Sequence, residues 1–327
     1  MNWNSQRVLV TGAGGFIGSH LSERLVKEGA EVRALVHYNA LGTHGWLDHS
    51  PLHDDMEIFA GDICDRDSVH LAMKNRDIVF HLAALIAIPY SYRVPFSFVR
   101  VNIEGTLNAL NVARELDIER LIHTSTSEVY GTARYVPIDE EHPLQGQSPY
   151  SASKIGADKM AEAFHLSFGL PVVILRPFNT FGPRQSDRAV IPTIITQCLH
   201  GKSVHLGSLS PTRDLNYVSN TIDGYLLAAG AANVEGQVIN LGSGKEISIG
   251  ELAKLIAELT GVSVEIISEE QRARPDRSEV HRLLADNDRA WELLGWKPAV
   301  SLRDGLKSTI TWIRNNFDRY RPDVYTI

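Results

Sequence analysis

Residues 7–11 form a short apolar run that leads into Thr11-Gly12-Ala13-Gly14-Gly15-Phe16-Ile17-Gly18. No other stretch of the chain restricts its fold as much. The run reads as a buried parallel strand. Ile17, Leu21 and Leu25 then recur at helical spacing, and Gly29 is a helix stop. In the spacing G-x-x-G-x-x-G, Gly12 permits a tight turn, Gly15 lets the backbone approach a pyrophosphate, and Gly18 lets the helix pack on the strand. The helix N-terminus, with Phe16 and Ile17 in its first turn, offers unpaired N–H groups and a positive dipole end to phosphate. A lone glycine motif is weak evidence. Strand before, helix after and a unit of about 30 residues are the context of a dinucleotide-binding loop.

The same alternation continues through the first half. Strands are expected at 31–37, 57–60, 78–82, 120–125 and 171–176, with long helices at 96–115 and 149–168. Strands separated by helices imply right-handed crossovers, so the expected fold is α/β, a Rossmann-type doubly wound parallel sheet. After about residue 179 the pattern loosens. Helices at 190–200 and 218–230 mix with short strands at 204–206 and 237–241, which suggests a smaller mixed α/β substrate-binding lobe. The expected division is a dinucleotide-binding domain over 1–179 and a lobe over 180–327, with segments near 213–245 returning to the first domain. With 327 residues, 43% hydrophobic and 22% charged, the chain reads as an ordinary globular protein. Its net charge of −7 argues against a nucleic-acid partner. The longest apolar run, ten residues over 79–88, is half of what a membrane span needs, about 20. Two cysteines, Cys64 and Cys198, make no disulfide framework, no signal peptide is visible, and a cytoplasmic setting is expected. No metal site is expected.

Ligands in such folds sit beyond the carboxyl ends of the strands. An acid about 20 residues after the glycine loop usually binds the adenosine ribose. Positions 32–47 carry no acid; Arg33, His37, Asn39 and His44 stand there instead and suit a 2′-phosphate, which favours NADP over NAD. Asp62, followed by Ile63, fits an adenine contact nearly as well as a structural turn. The strand ending near Ser125 runs into Thr126, Ser127 and Glu128, and Tyr150 and Lys154 follow at i, i+4, on one helix face. A lysine beside a tyrosine favours the phenolate, so Tyr150 is expected to titrate below its usual value of about 10 and to act as a general base.

At this point the chain resembles the extended short-chain dehydrogenase/reductases that act on nucleotide sugars. The resemblance rests on the glycine loop, His81-Leu82-Ala83-Ala84, Asn102 with Gly105 and Thr106, and the run from Ser125 to Gly131. It continues through Tyr150 to Lys154, Arg176-Pro177-Phe178-Asn179, Gly182-Pro183-Arg184, Arg213-Asp214 and Asn240-Leu241-Gly242-Ser243-Gly244. It implies a tightly bound NAD(P), regenerated each turnover, touched by Gly12, Gly15, Phe16, Ile17, Gly18, His37, Asp62, Ile63, Leu82, Ala83, Ala84, Asn102, Tyr150 and Lys154. It places a nucleotide sugar against Thr126, Asn179, Arg213, Asn240, Arg274 and Arg277. Arg277 stands where the family often has an acid on a ribose; it either adds a phosphate contact or leaves the ribose contact to Asp276 or Glu279.

Thr126-Ser127-Glu128 resembles the motif of the 4,6-dehydratases, which nucleotide-sugar decarboxylases acting on a hexuronate can also carry; epimerases of this superfamily usually lack the acid. The implied reaction is oxidation at C4, loss of water across C5 and C6 with Glu128 as base, and hydride return to C6, giving a 4-keto-6-deoxy sugar. Thr126 would hold the 4-oxygen, while Ser127 occupies the place of a second acid found in other members. Further detail around Tyr38, Trp46, Gln185 and 274–280 resembles the GDP-N-acetylglucosamine 4,6-dehydratases of legionaminic acid synthesis. A C4-epimerase, a UDP-glucuronate decarboxylase and a non-enzymatic NAD(P)-binding sensor or scaffold are the alternatives. The helices at 96–115 and 149–168 resemble the family's dimer-forming pair, so a homodimer is expected.

Overall fold

The computed structural model describes residues 1–272 and 275–322. The strands are β1 (Arg7–Thr11), β2 (Glu31–His37), β3 (Glu57–Gly61), β4 (Ile78–His81), β5 (Arg120–Thr124), β6 (Val172–Pro177), β7 (Thr180–Phe181), β8 (Ser203–Leu206), β9 (Thr212–Asp214), β10 (Asn216–Tyr217), β11 (Val238–Leu241), β12 (Glu246–Ser248) and β13 (Glu265–Ser268). The helices are α1 (Phe16–Lys27), α2 (Arg66–Met73), α3 (Ile88–Arg93), α4 (Pro95–Phe98), α5 (Gly105–Glu115), α6 (Pro149–Phe168), α7 (Val190–His200), α8 (Val218–Gly230), α9 (Ile249–Thr260), α10 (Asp288–Leu294) and α11 (Leu302–Asn315).

Seven strands form one sheet in the order β11-β6-β5-β4-β1-β2-β3, every pair parallel. The order reverses beside β1, so the fold is the α/β, doubly wound Rossmann type that the alternation implies. Strand side chains alternate between faces, and here both faces are covered, so both are apolar. Val8 and Val10 join one core with Leu21 and Leu25 of α1 and Ile222 and Tyr225 of α8. Leu9 between them joins the other core, with Val69 of α2, Val112 of α5 and Ala161 of α6. A third core, separate from the sheet, joins α7, β8, α9 and α11 through residues such as Ile194, Val204, Ile256 and Ile310. α8 packs on the sheet and β11 is its edge strand, although both follow the first part of the lobe. Ala290, Leu294 and Trp296, in and after α10, also pack there.

The structure departs from the expected continuous helix at 96–115. α4 passes into a π-helical turn, Val99–Glu104, before α5 begins. The wider turn seats Asn102, which is fully buried. Its carboxamide donates to the carbonyl of Leu85 at 2.9 Å and to Ser153 Oγ at 2.9 Å, and accepts from the Leu85 N–H at 2.8 Å. One inserted residue lets a helix meet both a strand-end loop and α6, which a regular 3.6-residue period would not.

Candidate active site

A cleft of about 1400 Å³ opens beyond the carboxyl ends of the central strands, between the sheet and the lobe. One small-molecule site occupies about 300–1,000 Å³, so this cleft has room for two ligands end to end.

At one end the wall is backbone. Gly12 has φ +68°, and a Cβ there would stand 2.9 Å from the Ala83 nitrogen. A Cβ on Gly18 would stand 2.2 Å from the Gly12 carbonyl oxygen, so only glycine lets α1 approach β1 this closely. Gly15 caps α1 with no side-chain hydrogen bond, and the first turn holds no acid. The leading N–H groups of α1 therefore face the cleft uncapped, which suits a pyrophosphate. Leu82, Ala83 and Ala84 form the opposite wall. A buried chain of hydrogen bonds fixes them. Thr11 Oγ1 accepts from the N–H groups of Leu82 and Ala83, both at 3.0 Å. Its hydroxyl donates to His81 Nδ1 at 3.0 Å, His81 Nε2 donates to Thr106 Oγ1 at 3.0 Å, and Thr106 donates to the Asn102 carbonyl at 2.7 Å. Burial holds His81 neutral, well below the ordinary imidazole range, which agrees with this tautomer. These residues fit a dinucleotide.

Phe16, Ile17 and His37 also line the cleft. Asp62 and Ile63 do not. Asp62 Oδ1 accepts from the Cys64 N–H at 2.9 Å, forming a structural turn, and Ile63 packs beneath Gly105. Asn102 does not line it either; its carboxamide is taken up by Leu85 and Ser153. Arg33, one of the residues suited to a 2′-phosphate, is turned away: its Nη1 donates to the carbonyls of Leu71, Ala72 and Lys74, which end α2, and its Nε pairs with Glu57 at 2.8 Å. Asn39 Oδ1 accepts from the N–H groups of Leu41 and Thr43 within its own loop.

The reactive groups converge at the middle of the cleft. Thr126, Ser127, Glu128, Tyr150 and Lys154 all line it, and each is less than a tenth exposed. The first three follow β5. Thr126 caps the short turn Ser127–Tyr130, its Oγ1 accepting from the Glu128 N–H at 3.2 Å. The last two lie one turn apart on α6, whose start is fixed by a Ser148/Ser151 capping box. Lys154 Nζ donates to the Thr124 carbonyl at 2.6 Å. Burial pulls its pKa down to about 8, against the attraction of Asp158. The expectation for Tyr150 is corrected here. Burial pushes the phenol above its usual range; Thr126 opposes this and the charges of Glu128 and Asp158 add to it. Desolvation dominates, and Lys154, which donates to the Thr124 carbonyl, is not among the groups that lower the phenol.

At the far end the wall is made of side chains. Asn179, just after β6, lines the cleft and keeps a buried carboxamide oxygen without a hydrogen-bond partner, a position open to a ligand. Arg213 lines it too, nearly buried and paired with Glu279 at 3.1 Å. Asn240 does not reach it: it is fully buried, accepting from the Tyr130 hydroxyl at 2.7 Å and donating to the Ile138 carbonyl at 3.0 Å. Its role here is structural. Arg277 is exposed and does not line the cleft, although Pro275 and Glu279 on either side of it do. Arg274 lies outside the described residues.

Two features go beyond the motifs. Arg184, whose motif gave no role, lines the cleft and pairs with Glu23 of α1 at 2.8 Å, tying the loop after β7 to the phosphate-facing helix. Asp158 sits one turn beyond Lys154 under the site; its i+8 spacing from Tyr150 was the available signal.

Parallel sheet, backbone cradle and a Tyr150/Lys154 pair beside Thr126 define an extended short-chain dehydrogenase/reductase. The family model described as GDP-mannose 4,6 dehydratase matches residues 9–309. The chain belongs to that family and is an enzyme of the extended short-chain dehydrogenase/reductase type. It is 35% identical to a dTDP-glucose 4,6-dehydratase of Streptomyces griseus over 97% of each chain. It is 34% identical to a UDP-glucose 4-epimerase of Mycolicibacterium smegmatis over 94% of this chain and 99% of that one. The solved structure of DesIV, a dTDP-glucose 4,6-dehydratase of Streptomyces venezuelae with NAD bound, superposes with a TM-score of 0.88 at 30% identity, covering 97% of this chain and 99% of that one. No helix among the described residues is long and apolar enough to cross a membrane.

Proposed function

We propose that the protein is a nucleotide-sugar 4,6-dehydratase. The observation that carries this reading is Glu128, a buried carboxylate lining the cleft beside Tyr150 and Thr126. An epimerase reverses one carbon and needs no further base there; water loss needs a base at C5.

A nicotinamide dinucleotide held by the Gly12–Gly18 loop supplies the hydride acceptor and donor. NAD fits better than NADP, because Arg33 and Asn39 are already engaged and the DesIV structure holds NAD. Tyr150 Oη takes the proton of the sugar 4-hydroxyl. Its ionisation is costly in so buried a place, so the neighbouring Lys154 ammonium must stay charged. Thr126 Oγ1 holds the 4-oxygen. Once C4 is a ketone, the C5 proton is acidic. The Glu128 carboxylate removes it and passes it to the departing 6-hydroxyl, since Ser127 has no acid to offer; as hydride returns to C6, C5 takes a new proton from solvent and Tyr150 releases the proton it took from the 4-hydroxyl. Asn179 and Arg213 hold the diphosphate; Arg213 brings a charge-assisted donor.

GDP-N-acetylglucosamine is the proposed substrate, on the resemblance around Tyr38, Trp46, Gln185 and residues 274–280. Incubation with GDP-N-acetylglucosamine, UDP-N-acetylglucosamine, GDP-mannose and UDP-glucuronate, with product masses read, tests both parts. Loss of one water from the first alone is expected. An isomer of unchanged mass, or loss of carbon dioxide from the glucuronate, would overturn the dehydratase.

A homodimer is part of this reading. Phe96 at 77% exposure, Val99 at 50% and Leu166 at 83% lie on α4, the π turn and α6, elements that pack side by side. Burying such side chains is worth about 1.5–3 kcal/mol each. Light scattering at micromolar concentration should give twice the chain mass; a monomer would refute it.

A further inference from the structure

Beneath the cleft lies a buried cluster of charges that the mechanism above does not use. Asp158 of α6 is wholly buried. Its Oδ2 accepts from Ser125 Oγ at 2.8 Å and from Arg176 Nε and Nη2 at 3.2 and 3.1 Å. Its Oδ1 faces His123 Nε2 at 3.3 Å. Arg176, also buried, donates from Nη1 to the Tyr130 hydroxyl at 3.0 Å, and Tyr130 donates onward to Asn240. His81 of β4 stacks on His123, ring centroids 5.7 Å apart.

These partners are placed with a pattern. Ser125 is the residue before Thr126, at the end of β5. Tyr130 closes the short turn that holds Glu128. Arg176 is at the end of β6, three residues before Asn179. Asp158 is one helical turn from Lys154 and two from Tyr150. One carboxylate thus touches each of the segments that deliver the site's side chains. A buried ion pair is weak evidence for stability, because apolar residues of the same volume often do as well. Such a group under a site is better explained by the geometry it enforces.

We propose that Asp158 is a positioning residue: its carboxylate fixes the ends of β5 and β6 to α6 and provides the counter-charge for the Lys154 ammonium. The inference rests on Tyr150 and Lys154 being the acid–base pair. The charged and titratable groups around Asp158 are Lys154 on its own helix, His123 on β5 and Arg176 on β6, with Tyr150 and Tyr130 beyond. Burial keeps His123 below the ordinary imidazole range. His123 therefore brings no charge at neutral pH, and Arg176 and Lys154 are the cations that share the carboxylate.

The test has two arms on the full chain. The first needs no substrate: crystal structures of wild type, Asp158→Asn and Ser125→Ala. Asp158→Asn is expected to break the Lys154–Thr124 bond, and both variants to shift Thr126. The second arm measures conversion of GDP-N-acetylglucosamine against pH. Asp158→Asn should lower kcat about 100-fold with KM changed less than about threefold, and move the alkaline limb of kcat to lower pH by about one unit. Ser125→Ala, which keeps the charge, should lower kcat about fivefold with the limb unmoved, and Asp158→Glu should restore the limb. A folded Asp158→Asn with Lys154 and Thr126 in place and an unmoved limb overturns the proposal. If that variant does not fold, Ser125→Ala decides: an unmoved Thr126 with full kcat overturns it. Full turnover by Tyr150→Phe would instead sink the acid–base reading, and the crystallographic arm would still judge Asp158.

Discussion

The two ends of the cleft recognise their ligands in different ways. The glycine end offers main chain: the N–H groups of α1, the turn at Gly12 and a wall at Leu82–Ala84 clamped from behind by Thr11 and His81. The lobe end offers side chains: Asn179, Arg213 and Glu279 on loops and short strands. Backbone recognition tolerates little change, because any Cβ at Gly18 collides with a carbonyl. Side-chain recognition can be rewritten one residue at a time. This explains how dehydratases and epimerases named for different nucleotides share about a third of their residues with this chain. The chemistry lies between the two ends, on the carboxyl edge of β5 and on α6.

Four changes sharpen that contrast, in falling order of effect. Tyr150→Phe removes the group on which every later step depends. Turnover should fall about 10³- to 10⁴-fold while dinucleotide affinity, read by fluorescence titration, is retained. Glu128→Gln should slow water loss about 10²- to 10³-fold without altering affinity for either ligand; a variant that still releases dehydrated product at the wild-type rate removes Glu128 from the mechanism. Gly18→Ala belongs to the backbone end. It should cost about 1–3 kcal/mol in denaturant unfolding and weaken dinucleotide binding, because α1 must move off β1. Arg213→Met belongs to the side-chain end. It should raise KM for the nucleotide sugar about tenfold and leave kcat within about threefold; equal loss from both ends would erase the distinction.

The pH profile adds a sign. Lys154 is held near 8 by burial and is useful only when charged. Activity should therefore fall as pH rises through about 8. A rate that climbs steadily past pH 9 would mean that free ionisation of Tyr150, not the Lys154 charge, limits the reaction.

Legibility in the sequence follows the same division. The glycine end was readable because a turn, a close approach and a helix start each demand a residue type at a fixed spacing. Tyr150 and Lys154 were readable because i, i+4 is a property of any helix. The π turn at Val99–Glu104 was not, since its cause is the long-range seat of Asn102 between Leu85 and Ser153. Asn240 read as a ligand contact only through the family resemblance of its motif. Only the packed structure shows Tyr130 and Ile138 filling its hydrogen bonds. Arg33 misled for a similar reason: it lies in the first half of β2, away from the carboxyl end, and its long side chain caps the carbonyls of α2. The raised phenol of Tyr150 has a related origin, because burial is a property of the whole fold and not of the helix that carries the residue.

The central claim is that Glu128 makes this site a dehydratase, and its most direct test is the reaction in heavy water. GDP-N-acetylglucosamine should give a product lighter by one water and carrying one solvent deuterium at C5, taken up when that carbon is reprotonated after its own proton has left with the water. A product of unchanged mass with no deuterium at C5 would show that no proton is taken there, and the account would be wrong.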